Sequence, residues 1–194
     1  MRNFLDIVLA IILIVLTSPV MMLMLILNLV LSPGNPFFLH PRIGKNGRRF
    51  RLIKFRTMKA SKDSSLNLTI AGDNRVTRFG SFLRQYKLDE LPQLFNILQG
   101  AMSFVGPRPE TPEYVAKFTT GEREILDYKP GLTDPSSLKY RYEEEMLAKY
   151  KDPVEGYLTE ILPDKIALSL AYQKRRSFWS DCGVLWQTVV AIFK

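Results

Sequence analysis

The stretch LAIILIVLTSPVMMLMLILNLVL, residues 9–31, decides the fold, because it is too apolar for a helix that faces water. It continues an apolar run that begins at Leu5 and holds one charged residue, Asp6. As one straight helix, the 27 residues from Leu5 to Leu31 would reach about 40 Å at ~1.5 Å per residue, more than the ~30 Å of a bilayer's hydrocarbon layer. The run is too long for a cleaved signal and no small-x-small cleavage site follows it, so we expect a retained membrane segment.

Ser18 and Pro19 lie near the middle of this run. Proline removes a backbone donor and clashes with the preceding turn, so the pair predicts a kink at this point. The Ser18 side chain could bond to a backbone group that the proline leaves without a partner. Two geometries fit the residues: a kinked helix that spans the membrane, or a re-entrant hairpin that enters and leaves by one face. Arg2 slightly favours the hairpin. A hairpin would keep Arg2, before the apolar run, on the same cytoplasmic side as the basic residues after it.

The rest of the chain, residues 36–194, is predicted to be an α+β domain, mostly α, that lies outside the lipid, and the membrane segment occupies residues 1–35. The boundary falls in SPGNP, residues 32–36, which is dense in helix breakers. PFFLH and RRFRLIKF flank GKNG and predict a small β-hairpin. Residues 60–74 lack a sustained apolar period and indicate a loop. Helices are expected at about 76–86, 89–98, 112–119, 121–128, 141–150 and 162–175.

The last segment, SFWSDCGVLWQTVVAIFK, places apolar and aromatic residues at helical spacing directly after three cations. This pattern is typical of an amphipathic helix that lies in the membrane interface. An ordinary core-packing helix is an equal alternative for so short a domain.

The net charge of +8 is concentrated in one segment, residues 42–59, which holds eight bases and no acid. Anionic lipid headgroups or a phosphate-rich substrate would be attracted there, and a solvated strand face is the simpler alternative. The bases of this segment are Arg42, Lys45, Arg48, Arg49, Arg51, Lys54, Arg56 and Lys59.

Cys182 is the only cysteine and His40 the only histidine. An intrachain disulfide and a cysteine-based zinc site are therefore excluded, and a histidine-centred triad has little support. Carboxylates must carry any acid, base, nucleophile or metal-binding role.

The segment YKLDELPQLFN places Asp89 and Glu90 at the start of a helix, with Pro92 tolerated in its first turn. Unpaired backbone donors and the helix dipole are expected to favour the ionised form of an acid there. Such an acid suits a nucleophile or a metal ligand. Plain helix capping is the alternative for this pair.

Cations accompany the two acids, since Arg84 and Lys87 precede them and Arg108 stands between two prolines in GPRPE. Arginine matches phosphate oxygens, and the prolines reduce the cost of ordering it. The alternative for Arg108 is a salt bridge to Glu110 or Glu113. A diphosphate substrate usually comes with Mg²⁺, which takes one or two carboxylates, so one acid could attack while its neighbour holds the metal.

Three segments, IGKNGRRFRLIKFRTM, YKLDELPQLFNILQGAMSFVGPRPE and KPGLTDPSSLKYRYEEE, resemble the bacterial sugar transferases, the monotopic polyprenyl-phosphate phosphoglycosyl transferases. The similarity spans about residues 2–175 and includes the Ser18-Pro19 break. It implies a re-entrant membrane helix bent at Ser18-Pro19, a location at the bacterial inner membrane with the catalytic domain on the cytoplasmic face, and dependence on Mg²⁺.

The resemblance also implies a two-step reaction. Asp89 would attack the sugar-bearing phosphate of a UDP-sugar, release UMP and form a covalent intermediate, which undecaprenyl phosphate would then attack. Glu90 would hold Mg²⁺, Arg84 and Arg108 would contact phosphate, and Lys54 and Arg56 are weaker candidates for that contact.

This chain departs from the family pattern in two places. Ala101 stands where members usually carry an acid, and the loop from Pro130 to Ser136 has an unusual sequence that we expect to select the sugar. The sugar itself is not assigned.

The expected partners are the UDP-sugar, undecaprenyl phosphate and membrane lipids, with a homodimer compatible with the sequence. A competing interpretation is a non-catalytic membrane scaffold that uses the basic segment. Nucleic acid is not an expected partner, because the basic segment lacks interleaved aromatics and a groove-reading element.

Overall fold

The computed structural model describes residues 2–32, 34–59 and 68–193. The described chain is mostly helical, with one antiparallel strand pair and one short parallel pair. Its helices are α1 (Arg2–Leu31), α2 (Arg78–Gln85), α3 (Gln93–Leu98), α4 (Pro112–Ala116), α5 (Pro135–Lys139), α6 (Glu143–Leu147), α7 (Pro153–Gly156), α8 (Leu162–Arg175) and α9 (Phe178–Ile192). Its strands are β1 (Phe37–Ile43), β2 (Arg49–Phe55), β3 (Ser103–Val105) and β4 (Gly131–Thr133).

Helix α1 runs through Ser18 and Pro19 as one helix rather than as two helices joined by a turn. Pro19 cannot donate to the carbonyl four residues earlier, that of Val15, and the Ser18 hydroxyl donates to this oxygen instead at 2.8 Å. The prediction that Ser18 compensates for the proline is confirmed. The re-entrant path through a membrane stays a prediction.

Among the described residues, α1 is the one helix long and apolar enough to cross a membrane, with a mean hydropathy of 2.8 over its most apolar window. Most of its large apolar side chains are exposed, although Ala10 is fully buried against the domain. Both ends of α1 also contact the domain. Near its start, Lys129 Nζ donates to Asn3 Oδ1 at 3.2 Å, and near its end Asn28 Nδ2 donates to the Arg56 carbonyl at 2.8 Å.

The predicted β-hairpin is confirmed: β1 and β2 pair antiparallel from Phe37 opposite Phe55 to Ile43 opposite Arg49. The pairing divides the basic segment into two sets. Arg42, Lys54 and Arg56 are partly buried and line a cavity of the domain. The other set is exposed to solvent, namely Lys45, Arg48, Arg49, Arg51 and Lys59, and of these Lys59 also borders the cavity.

A close backbone crossing joins the short strands β3 and β4, which pair in parallel. A Cβ on Gly131 would lie 2.2 Å from the Gly106 nitrogen, and a Cβ on Gly106 would lie 2.5 Å from the Lys129 carbonyl oxygen. Only glycine fits at either place. The crossing fixes the segment that begins at Pro107 and carries Arg108.

The predicted helices near 76–86 and 162–175 are confirmed as α2 and α8, and those near 112–119 and 141–150 are shorter, as α4 and α6. The segment predicted as a helix at 121–128 is a 3-10 helix, Glu122–Asp127. Helices α5 and α7 were not predicted from the sequence. Residues 60–67 of the predicted loop lie outside the described residues.

Helix α9 exposes one apolar and aromatic face. Of the apolar residues at helical spacing, Phe178, Trp186, Val189 and Phe193 are exposed, whereas Leu185 packs against the domain. Trp179 beside them is 80% exposed. The opposite side packs into the domain through Val184. Helix α9 therefore packs one side into the core, as the core-packing alternative predicts, and leaves an aromatic face uncovered. Contact of that face with a membrane interface stays a prediction.

Candidate active site

The two candidate acids stand in a tight turn between α2 and α3. Lys87 adopts a left-handed conformation, with φ of 54°, and a 3-10 turn over Leu88–Glu90 follows it. Helix α3 begins three residues after Glu90 and is fixed to β2 by its Asn96 side chain. The Asn96 amide accepts from the Ile53 nitrogen at 3.0 Å and donates to the Arg51 carbonyl at 2.8 Å. This anchor places Glu90 beside the next residue of β2, Lys54.

Glu90 is held by two cations. Its Oε1 accepts from Lys54 Nζ at 2.8 Å and from Arg108 Nη2 at 2.7 Å, while its Oε2 has a single long contact, 3.5 Å from Arg108 Nη1. Burial opposes the negative charge, but Arg108 and Lys54 outweigh it and hold the pKa of Glu90 well below its usual range. Glu90 also raises the pKa of Arg108. Glu90 is therefore a fixed anion at neutral pH.

Asp89 has no such partners, although it is buried. Its Oδ1 has no hydrogen-bond partner within the described part of the chain. Burial raises the pKa of Asp89, the positive charge of Lys54 opposes that rise, and Glu90 adds to it. The expectation that backbone donors stabilise the ionised form is wrong, because burial raises the pKa and no backbone amide of the described residues donates to this carboxylate.

Two cavities meet at Asp89. The hairpin cavity, of about 490 Å³, extends along β1 and β2, and the α2 cavity, of about 990 Å³, extends along α2 and the start of α6. Volumes of this order are typical of ligand sites. The residues that line both cavities are Lys54, Arg84, Asp89, Arg108 and Glu144. One carboxylate without a hydrogen bond thus lies among three cations where the two cavities join.

The other predicted phosphate-binding residues have protein partners too. Arg84 lines both cavities and donates to Glu144. Arg56 lines only the hairpin cavity and donates to the carbonyl of Ser32, at the end of the membrane segment. Contact of either side chain with phosphate stays a prediction.

Arg108 pairs with neither of the acids considered as salt-bridge partners, Glu110 and Glu113, but with Glu90. Its loop is tied to β1, because Arg42 Nη1 donates to the Pro109 carbonyl at 2.9 Å and the Ile43 nitrogen donates to the Glu110 carbonyl at 3.0 Å. These bonds hold the Arg108 guanidinium at the junction of the cavities.

A second polar cluster lines the hairpin cavity but not the α2 cavity. Tyr157 Oη donates to Glu110 Oε1 at 2.8 Å, Lys165 Nζ donates to Glu143 Oε2 at 2.8 Å, and Lys165 lies 3.3 Å from Tyr157 Oη. Burial and the nearby Glu110 raise the pKa of Tyr157. Sequence reasoning missed this cluster. Glu110 was considered only as a salt-bridge partner of Arg108, and nothing local marks Tyr157 or Lys165.

The loop expected to select the sugar borders a third, small cavity of about 30 Å³, which Pro130 and Ser136 line together with Arg108, Glu110 and Lys165. Its role in sugar selection stays a prediction. None of residues 130–136 lines the hairpin cavity or the α2 cavity. Asp134 is fully buried and caps α5, accepting from the Ser137 nitrogen and the Ser136 hydroxyl, both at 2.8 Å, and from Ser169. These bonds account for Asp134 as a structural residue.

The acids of the site suit a Mg²⁺ ion only in part. Within residues 2–32, 34–59 and 68–193, no three His, Cys, Asp or Glu side chains are grouped to hold a metal. Mg²⁺ bound with substrate phosphates needs only one or two carboxylates, however. Asp89 Oδ1, without a partner, and Glu90 Oε2, with one long contact, are the oxygens left for such an ion.

These features define a class: a protein with one long apolar helix and a buried carboxylate among cations suited to phosphate. Comparison with known proteins agrees with it, since residues 1–194 match the bacterial sugar transferase family. The chain belongs to this family.

Three relatives illustrate the match. A UDP-N-acetylgalactosamine-undecaprenyl-phosphate N-acetylgalactosaminephosphotransferase of Aeromonas hydrophila is 36% identical over 98% of this chain and 43% of its own length. A UDP-glucose:undecaprenyl-phosphate glucose-1-phosphate transferase of Caulobacter vibrioides is 33% identical over 98% of this chain and 69% of its own. A putative undecaprenyl-phosphate N-acetylgalactosaminyl 1-phosphate transferase of Bacillus subtilis is 38% identical over 74% of this chain and 79% of its own. The chain thus spans less than half of the Aeromonas relative.

Proposed function

We infer that this chain transfers a sugar phosphate from a UDP-sugar to undecaprenyl phosphate through a covalent intermediate on Asp89. The relatives' names supply the substrates, which are a UDP-sugar and undecaprenyl phosphate for the Aeromonas and Caulobacter proteins. The contacts within the site are the basis on which we assign a role to each residue.

The observation that carries the proposal is the contrast between Asp89 and Glu90. Glu90 is occupied by Lys54 and Arg108, whereas Asp89 has an oxygen without a partner at the junction of two cavities. A buried carboxylate with a raised pKa and few hydrogen bonds is poorly solvated, and its oxygen is correspondingly more reactive. Asp89 is the better nucleophile of the two, and Glu90 positions the cations.

In the first step, an Asp89 oxygen forms a bond to the sugar-bearing phosphorus, and the bond from that phosphorus to the UMP oxygen breaks. UMP leaves with the electron pair, and Asp89 carries the sugar phosphate as a mixed anhydride. In the second step, a phosphate oxygen of the lipid attacks the same phosphorus and the Asp89 carboxylate leaves. Lys54, Arg84 and Arg108 offset the negative charge of both transition states.

Mg²⁺ is part of this proposal as a cofactor that Glu90, with Asp89 beside it, would hold. When bound, it would offset negative charge on the diphosphate. Lys54 and Arg108 keep Glu90 ionised and therefore able to bind a cation at Oε2.

The membrane placement is also proposed. A domain on one side of a bilayer can contact both ends of a membrane helix if that helix enters and leaves by the same side. It does so less easily if the helix crosses the bilayer. The contacts of Asn3 with Lys129 and of Asn28 with the Arg56 backbone support a re-entrant α1, and the exposed aromatic face of α9 supports an interfacial helix on the same side. The catalytic domain then lies on the cytoplasmic face of the inner membrane, where UDP-sugars are available.

The test is UMP release by the purified chain in detergent with Mg²⁺, undecaprenyl phosphate and a panel of UDP-sugars. We expect release with at least one sugar, and its loss in Asp89→Asn. Asp152→Asn is the matched control, because Asp152 is an exposed acid that caps α7 and lines neither cavity. Absence of UMP with every sugar would reject the proposal.

A further inference from the structure

Lys165 lies almost completely buried in the first turn of α8, between two carboxylates of the second polar cluster. Its Nζ donates to Glu143 Oε2 at 2.8 Å and lies 3.6 Å from Glu110 Oε1. It also lies 3.3 Å from Tyr157 Oη, which itself donates to Glu110 at 2.8 Å. No step of the proposed reaction uses these four residues.

Each of the two acids stands next to a cation of the candidate site or to the partner of one. Glu110 lies two residues after Arg108 in the chain. Glu143 directly precedes Glu144, the acid that accepts from Arg84. The second polar cluster therefore links the chain segments that place the two site arginines.

The segment that carries Arg108 is fixed on both sides of Pro109. The Glu110 carboxylate accepts from Tyr157 and lies 3.6 Å from Arg42 Nη1. The same Arg42 nitrogen donates to the Pro109 carbonyl at 2.9 Å. A change in the position of the Glu110 side chain would therefore be passed to the backbone next to Arg108.

A π-helical turn, Tyr157–Ile161, leads directly into α8. Such turns are rare and frequently occur at functional sites. The turn carries the buried Tyr157, whose ring contacts that of Tyr114 with centroids 5.0 Å apart, and it sets where α8 places Lys165. Stability alone explains the buried lysine poorly, because apolar side chains of similar volume are often as stable as a buried ion pair.

We propose that Lys165 and Tyr157 are positioning residues, which hold the two site arginines toward the diphosphate of the donor. Lys165 acts on Arg84 through the two neighbouring acids of α6, and Tyr157 acts on Arg108 through Glu110. This inference rests on the proposed transferase function and adds two residues that act through others.

The tests use single-turnover UMP release, with the enzyme in excess over the UDP-sugar and with Mg²⁺ and undecaprenyl phosphate present. At saturating enzyme, the rate constant is a property of the folded molecules. Partial unfolding only raises the enzyme concentration that saturation requires. A merely structural role therefore leaves this maximum rate constant unchanged.

The first variant is Tyr157→Phe, which keeps the ring and removes the hydroxyl that bonds to Glu110. We expect the maximum rate constant to fall roughly tenfold, because misplacing a catalytic group by about 1 Å can cost up to ~100-fold. Tyr140→Phe is the matched control, since the Tyr140 hydroxyl donates to Asp164 at 2.7 Å and Tyr140 lines neither cavity. It should retain the wild-type rate constant.

The second variant combines Lys165→Met with Glu143→Gln, so that neither charge is left buried alone. Its maximum rate constant should fall roughly tenfold, whereas Lys174→Met with Glu124→Gln, at an exposed ion pair, should change nothing. In an Arg84→Ala background, the first pair of substitutions should cost at most about threefold, because residues that act through one another are not additive.

The outcomes separate the two proposals. If the wild type releases no UMP from any UDP-sugar, the transferase function itself fails. If the wild type is active and either variant keeps its maximum rate constant, the role given to that residue is overturned. An undiminished loss in the Arg84→Ala background would overturn the action of Lys165 through Arg84.

Discussion

Arg108 Nη2 lies 2.7 Å from Glu90 Oε1, and this bond joins two segments 18 positions apart into one site. Lys54 completes the arrangement by donating to the same oxygen. Glu90 is therefore the anion that gathers the cations of the site beside Asp89. The Glu90 carboxylate should therefore raise the free energy of unfolding, whereas the Asp89 carboxylate should lower it.

Glu90→Gln should destabilise the protein. The substitution leaves Lys54 and Arg108 partly buried without their anion, which typically costs roughly 3 kcal/mol. UMP release should fall as well, because the cations lose their position. Chemical denaturation of the detergent-solubilised protein measures the first effect. Glu145→Gln, at an acid that lines only the α2 cavity, is the comparison, and an equal loss of stability there would contradict the role given to Glu90.

Asp89→Asn should abolish UMP release while raising the free energy of unfolding. Burial raises the pKa of Asp89, so the ionised form of this carboxyl group is disfavoured in the folded state relative to the unfolded chain. Removing that charge should stabilise by roughly 1 kcal/mol, as is common for substitutions at active sites. The same denaturation measurement applies. An inactive but destabilised variant would point to a structural role for Asp89.

Sequence reasoning predicted correctly those features that depend on a pattern of a few neighbouring residues. The hairpin and helix α8 follow from breakers and apolar spacing over a few residues. Asp89 and Glu90 were predicted to open a helix, but they lie in a 3-10 turn and α3 begins only at Gln93. The ionisation of Asp89 was predicted in the wrong direction, because it depends on burial and on whether backbone amides reach the carboxylate. The Glu90 ion pairs and the cluster at Tyr157 and Lys165 join distant segments, and no local pattern encodes such contacts.

His40 should make stability depend on pH. Burial, with Arg42 and Lys54 nearby, lowers its pKa from 6.5 to about 4 in the folded state. The unfolded chain therefore binds a proton as the pH falls through 6.5, while the folded chain does so only near pH 4. Stability should fall across this window.

The measurement is the free energy of unfolding between pH 7 and pH 5, above the range where most carboxylates titrate. The His40→Gln variant should lose less stability than the wild type over that interval. Identical pH profiles for the two proteins would show that His40 is not buried in its neutral form.

The topology of α1 can be tested by cysteine labelling in a Cys182→Ser background. Asn3→Cys and Asn35→Cys place thiols at exposed positions on the two sides of the apolar run. If α1 is re-entrant, a membrane-impermeant maleimide labels both in inverted inner-membrane vesicles and neither in spheroplasts. Lys151→Cys, exposed on the domain, reports the cytoplasmic face. Labelling of the two positions from opposite sides would establish a spanning helix.

The central claim is that Asp89 attacks the donor before the lipid takes part. The most direct test mixes the enzyme with its UDP-sugar and Mg²⁺, without any lipid phosphate, and measures UMP together with the intact protein mass. We predict a rapid release of UMP in an amount equal to the enzyme, with a sugar phosphate attached to Asp89. UMP release that requires undecaprenyl phosphate, with no change in protein mass, would contradict it.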